Sequence, residues 1–176
     1  MTRLMVLGLL RMKPMSGYEI QQILQQSQTD LWAGILPGSI YHALKKMEKE
    51  ELVEIATVEK TGNRIKAIYQ ITENGEEEFL TLLKESLQQS SVCLPSNLYT
   101  GLGFIQDLVG EEIVELLSVQ INTLQADLEK QKAGIEAKRV AMGKLDEVTE
   151  LTAENLFAQY KLQIEFLKKL TELYTK

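Results

Sequence analysis

Six polar residues fall on one side of a short helix expected between Leu36 and Leu52: Ser39, Tyr41, His42, Lys45, Lys46 and Lys49. Tyr41 and Lys45 stand one turn apart, and Ser39, His42, Lys46 and Lys49 form a second row at helical spacing. Ammonium groups neutralise phosphates, while hydroxyl, phenol and imidazole groups can exchange hydrogen bonds with base edges. The set suits nucleic-acid recognition better than catalysis. His42 is the sole histidine and Cys93 the sole cysteine, so the sequence offers no nucleophile–base pair, no metal-ligand cluster and no phosphate-cradling glycine loop. No cofactor and no metal are expected. An ordinary solvated face is the plain alternative for the three lysines, as is simple packing for Tyr41.

The helix that would carry this row has a clear buried side. Ile40, Ala43, Leu44 and Met47 recur at i, i+3, i+4 and i+7. Pro37 suits its first turn, where a missing N–H costs nothing. Glu48, Glu50 and Glu51 crowd the far end and would repel phosphates, so DNA contact should use the first two turns.

Upstream, Leu4, Val6, Leu7 and Leu10 suggest a buried first helix, rather than a signal peptide, that ends at Lys13-Pro14. Ser16 and Glu19 have capping-box spacing, with Met15 and Ile20 at the staple positions. A second helix is therefore expected over about Gly17 to Gln26, with Ile20, Ile23 and Leu24 inward. Leu31, Trp32 and Ile35 are too apolar for a free loop. Downstream, Val53, Ile55 and Thr57 alternate with Glu54, Ala56 and Val58 as a strand, and Lys60 to Asn63 read as a turn with Gly62 at its tip. Ile65, Ala67, Tyr69 and Ile71 alternate as the returning strand. Thr72 is placed to cap another helix. Three helices and a hairpin in this order predict a winged helix-turn-helix.

The formal charge of −6 is unevenly spread: residues 1–75 hold nine Lys and Arg against eight Asp and Glu, whereas residues 76–176 hold ten against seventeen. The acidity thus belongs to a second part that need not meet a phosphate backbone. No apolar run reaches the roughly 20 residues of a membrane span, and a lone cysteine fits a reducing cytoplasm. Two domains are expected, 1–88 and 89–176.

The second part is read as helical. Phe79, Leu80, Leu83 and Leu87 mark a helix leaving the hairpin. Leu98, Leu102, Ile105 and Leu108 suggest a short helix closed by Gly110. From Val114 through Leu117, Ile121, Leu124 and Leu128 to Met142 runs a heptad seam, with Gln131 and Lys138 in its second half. A last helix from about Thr149 to Tyr174 carries Leu156, Tyr160, Ile164, Leu167 and Leu170. Those five and Val114, Leu117, Ile121, Leu124 and Leu128 of the seam are the candidates for dimerisation, an internal two-helix hairpin being the alternative. Trp32, Tyr99 and Phe104 are the candidates for lining an effector cavity, core packing being the alternative.

YEIQQIL, LPGSIYHALKKMEKEELVE and IYQITENGEEEF resemble the PadR family of bacterial transcriptional regulators over residues 4–82. The resemblance implies a homodimer, usually a repressor, on a roughly palindromic operator. It puts Ser39, Tyr41, His42, Lys45 and Lys46 on the recognition helix, Tyr18 in a GYE segment, and Arg64 and Lys66 on the wing. It also implies that the second domain dimerises, and that an aromatic effector is a conceivable ligand. This chain departs from the family pattern at four places. His42 stands for a common proline, Leu36 for a capping serine, and Glu51 for a glycine after the helix; the wing, GNRIKAIY, is less basic. The competing functional class is a helical protein–protein adaptor with a winged helix as scaffold.

Overall fold

The computed structural model describes residues 1–61, 64–88, 91–92 and 94–175, without the side chains of Leu31, Lys60, Thr61, Arg64 and Ile65. Cys93 and the expected turn residues Gly62 and Asn63 therefore lie outside the described residues. The chain is mainly helical, with one two-stranded antiparallel sheet. It divides into two compact units, Met1–Ser91 and Val92–Lys176.

In the first unit, α1 (Thr2–Met12) stops where Lys13 becomes extended ahead of Pro14. Helix α2 (Gly17–Gln26) begins with the full capping box: the Glu19 N–H donates to Ser16 Oγ, and Glu19 accepts from the Ser16 N–H. Met15 and Ile20, the staple pair, are both fully buried. The apolar stretch after α2 is itself a short helix, α3 (Thr29–Ala33), bounded by left-handed Gln28 and Gly34. Helix α4 (Pro37–Lys49) follows, then β1 (Val53–Thr61), β2 (Arg64–Ile71) and α5 (Glu73–Gln88). Val6, Leu7, Ile20, Ile40, Leu44, Met47 and Val53 form one core.

The turn at the end of α4 shows what the residue in place of the expected glycine must do. Leu52 N–H donates to Met47 O and Glu51 N–H to Glu48 O, the paired bonds of a Schellman motif. The motif needs a left-handed residue, and Glu51 adopts φ 58° there.

The strands depart from simple alternation. Ile55 pairs with Tyr69 but Thr57 pairs with Ile68, so Ala56 is an inserted bulge residue. Ile55 is exposed and Ile68 buried, both against the faces expected from the alternation, while Val58 is exposed as expected. Lys60 and Thr61, expected in the turn, continue β1, and Thr61 pairs with Arg64. Thr72 caps α5, accepting from Gly75 N–H, and donates to Glu51 O.

The second unit begins with α6 (Ser96–Leu102), a 3₁₀ turn (Ile105–Asp107), and α7 (Gly110–Met142). The expected helix through Leu108 is thus cut short; Gly101 and Gly103 lower helix propensity at that point. Gly110 opens α7 instead of closing a helix, because Glu111 and Glu112 favour a helix N-terminus there. Helix α7 is about 50 Å long by its rise per residue. It turns at Gly143 into α8 (Glu147–Tyr174), capped by Asp146, which accepts from Thr149 N–H. The Arg139–Glu150 ion pair at 2.9 Å ties the two helices beside the turn. At the other end Ile113 and Leu117 pack with Leu167, and Ile121, Leu124 and Leu170 flank them, so the helices run antiparallel. Leu128 and Ile164 are buried along the same hairpin, with Val114, Leu156 and Tyr160 half-buried. The ten proposed dimerisation residues are therefore at least partly covered within one chain. Leu116, Val119, Val140, Met142, Val148, Leu151, Leu162 and Leu173 are the large apolar residues these helices leave exposed, so the seam expected to run to Met142 is not covered at that end.

Candidate nucleic-acid interface

Helix α4 buries Ile40, Leu44 and Met47 and turns Tyr41, His42, Lys45, Lys46 and Lys49 to solvent. Its N-cap is Leu36, which has no side-chain acceptor to offer, and Pro37 starts the first turn. Ser39 is half-buried, and its hydroxyl donates to Leu36 O at 2.6 Å. That bond occupies the hydroxyl proton and leaves an oxygen that can accept. Tyr41 is 45% exposed, and its ring covers Gly17 at the start of α2. Tyr18, on α2, is 56% exposed and accepts a hydrogen bond from Gln22.

The lysines differ in their surroundings. Lys46 stands 4.0 Å from Glu50, which also meets Arg3 from α1. Among the described residues neither Lys45 nor Lys49 is held by a carboxylate. Arg64 lies on β2 beside the hairpin tip, and its side chain is outside the described residues. Lys66 is held between two carboxylates, 3.4 Å from Glu19 and 3.6 Å from Glu59. Glu19 is held below the usual carboxylate range, first by the Ser16 N–H and then by the Ser16 hydroxyl and Lys66.

The fold thus brings Tyr18, Ser39, Tyr41, His42, Lys45 and Lys46 onto the α2–α4 pair of the first unit. This is an exposed cationic and aromatic helix supported by a second helix and flanked by a hairpin. Residues 6–81 match the sequence model described as the transcriptional regulator PadR-like family. The first unit carries a PadR-like domain. The family's members are transcriptional regulators rather than enzymes, and the first unit is the family's winged helix-turn-helix.

Similar solved structures extend over the second unit as well. The protein smu.1604c of Streptococcus mutans is 28% identical, with a TM-score of 0.79 over 95% of this chain and 96% of its own. The PadR-like transcriptional regulator BC1756 of Bacillus cereus is 26% identical, with a TM-score of 0.72 over 98% and 94%. PadR of Bacillus subtilis in complex with operator DNA is 21% identical, with a TM-score of 0.76 over 98% and 96%. The same Bacillus subtilis protein with p-coumaric acid gives 19% identity and 0.73 over 99% and 98%. A comparison with curated proteins returned no match.

The three residues considered for an effector cavity do not meet within either unit. Trp32 lines an apolar cleft of about 350 Å³ in the first unit with Met5, Leu9, Phe79 and Leu83. In the second, Tyr99 meets Phe166 edge-on at 6.2 Å, and Phe104 is exposed. The sequence did not reveal the Glu19–Lys66 pair or the Tyr41–Gly17 contact, since neither has a local spacing. No helix among the described residues is long and apolar enough to cross a membrane.

Proposed function

We propose that this chain is a cytoplasmic, homodimeric repressor that binds a palindromic operator and is released by a small aromatic effector. The observation that carries the DNA reading is α4, with three faces of evidence in one helix: an apolar side sunk in the core, an exposed Tyr41–His42–Lys45–Lys46 side, and acidic residues confined to its far end. Its first two turns enter the major groove, with Tyr18 alongside on α2 and Arg64 on the wing. Operator binding by the Bacillus subtilis relative supports the same use of the fold.

A single reading head of this size contacts one half-site, and paired heads about 34 Å apart fit successive major grooves. The exposed Leu116, Val119, Leu162 and Leu173 give the helical hairpin apolar surface for a second copy. The effector reading rests on the p-coumaric acid complex of the relative and on Trp32 at the edge of an apolar cleft.

Selection of duplexes from the organism's genome, followed by footprinting, tests the reading. A symmetric footprint with half-sites one helical turn apart is expected. The triple variant Y41A/K45A/K46A should lose the operator and keep the sedimentation behaviour of a dimer. Failure of the unsubstituted protein to retain any duplex would favour a protein–protein adaptor. Trp32 is the only tryptophan, so quenching of its fluorescence by p-coumaric acid, together with operator release, tests the effector.

A further inference from the structure

Lys66 faces two carboxylates on different elements. Glu59 is across the hairpin on β1, its register partner, at 3.6 Å. Glu19 is on α2, at 3.4 Å, and is already fixed by 2.8 Å bonds from the Ser16 N–H and hydroxyl. The root of the wing is tied to the same place by backbone: Met15 N–H donates to Tyr69 O, and Tyr69 N–H to Met15 O. Those two bonds fix β2 where it leaves the core. Lys66 adds a third tie, three residues further towards the tip. The Glu19–Lys66–Glu59 group carries one positive and two negative charges, so it does not present a net cation to a phosphate.

We propose that Glu19 is a positioning residue for operator binding, holding the wing against α2 through Lys66, and that Lys66 is a strap and not a phosphate contact. This rests on the DNA-binding reading above. The carboxylate caps α2 with the same oxygen that meets Lys66, so the angle of the helix-turn-helix and the stance of the wing are set at one group. Loss of the charge frees the hairpin beyond its backbone anchor, and the two contact surfaces no longer approach DNA in a fixed relation.

The phosphate-contact alternative predicts the opposite sign. If Lys66 met DNA, removing Glu19 would free its ammonium and delete a repelling charge, and binding would tighten. Glu19→Gln is the informative substitution, because glutamine keeps the capping-box oxygen and deletes only the charge. Affinity is read by fluorescence anisotropy on a labelled duplex selected from a random pool by the unsubstituted protein, over a range of salt concentrations. The strap predicts that E19Q and Lys66→Met each weaken binding about threefold to fivefold, the scale of a partly exposed ion pair. It predicts that the double variant is no weaker than either single one, and that the slope of log affinity against log salt is unchanged.

Tighter binding by E19Q, or a slope reduced by about 0.9 in K66M, the value for one lost phosphate contact, would overturn the inference. Glu59→Gln leaves the Glu19–Lys66 tie in place and should not weaken binding; an equal loss there would also overturn it. Circular dichroism of each variant separates these outcomes from misfolding, and if E19Q does not fold, the K66M slope and the E59Q affinity decide. If the unsubstituted protein selects no duplex, the DNA-binding reading itself fails. Retained duplex with an unweakened E19Q defeats this inference alone.

Discussion

The ring of Tyr41 lies against Gly17: a Cβ built on that glycine would stand 2.7 Å from Tyr41 Cε1 and 3.2 Å from Leu44 Cδ1. The absent side chain lets α4 approach the start of α2 and sets the direction in which this exposed aromatic of α4 points. Gly17→Ala therefore sets two effects against each other. Alanine gains up to about 1 kcal/mol of helix propensity, and overpacking costs about 1–3 kcal/mol. The atom in the way is the far end of a mobile side chain, so Tyr41 should swing aside and the net loss of stability should stay below about 2 kcal/mol. Duplex affinity should fall more than stability does, and anisotropy beside urea denaturation would compare the two.

Gly75 has no such escape. A Cβ there would stand 2.1 Å from the backbone carbonyl oxygen of Leu52 and 2.7 Å from Ile71 Cγ1. The close approach packs the first turn of α5 onto the chain entering β1. Gly75→Ala must move backbone, and should cost at least about 3 kcal/mol despite the better helix former. A urea midpoint close to that of the parent would contradict so close an approach.

Glu51 carries the left-handed turn that joins α4 to β1. Leaving L-residue crowding behind favours Glu51→Gly by about 1–2 kcal/mol, and the extra freedom of unfolded glycine offsets about 0.4–1 kcal/mol of it. A net gain of up to about 1.5 kcal/mol is expected. Glu51→Ala, which keeps a Cβ, should give little of that gain. Chemical denaturation of the two variants distinguishes backbone relief from loss of a negative charge.

Glu19 predicts a pH dependence with a definite sign. Its folded-state pKa is depressed, mainly by the Ser16 N–H. It therefore contributes stability that is present above the unfolded carboxylate pKa and is lost as pH falls through the lower folded value. The stability difference between the parent and E19Q should be largest near neutrality and shrink below about pH 4.3, the ordinary glutamate value. Thermal melts across pH 3–7 would measure it; a difference that grows on acidification would contradict the assignment.

Much of the first unit is legible in the sequence because its signals are local. The Ser16–Glu19 capping box, the Met15–Ile20 staple and the Ile40–Leu44–Met47 face each follow from neighbours within about one or two helical turns. The same holds for the heptad along α7, whose spacing marks a packing seam without saying which helix fills it. Where local signals conflict, residue type alone misplaces an element. Gly110 has the chemistry of a helix stop but is followed by two glutamates that favour a start, and Lys60–Thr61 look like turn residues yet extend β1.

The sequence by itself determined the winged helix, the two-sided α4 within it and the helical second unit, since periodicity and capping are properties of adjacent residues. Only the tertiary structure decided what those elements do to one another. It put α8 on the α7 seam within one chain, inserted Ala56 as a bulge, set Tyr41 over Gly17, and gave Lys66 to Glu19. Each of these joins positions that are remote along the chain or depends on how closely two backbones approach. Such relations follow from packing in three dimensions, and no spacing of residue types encodes them.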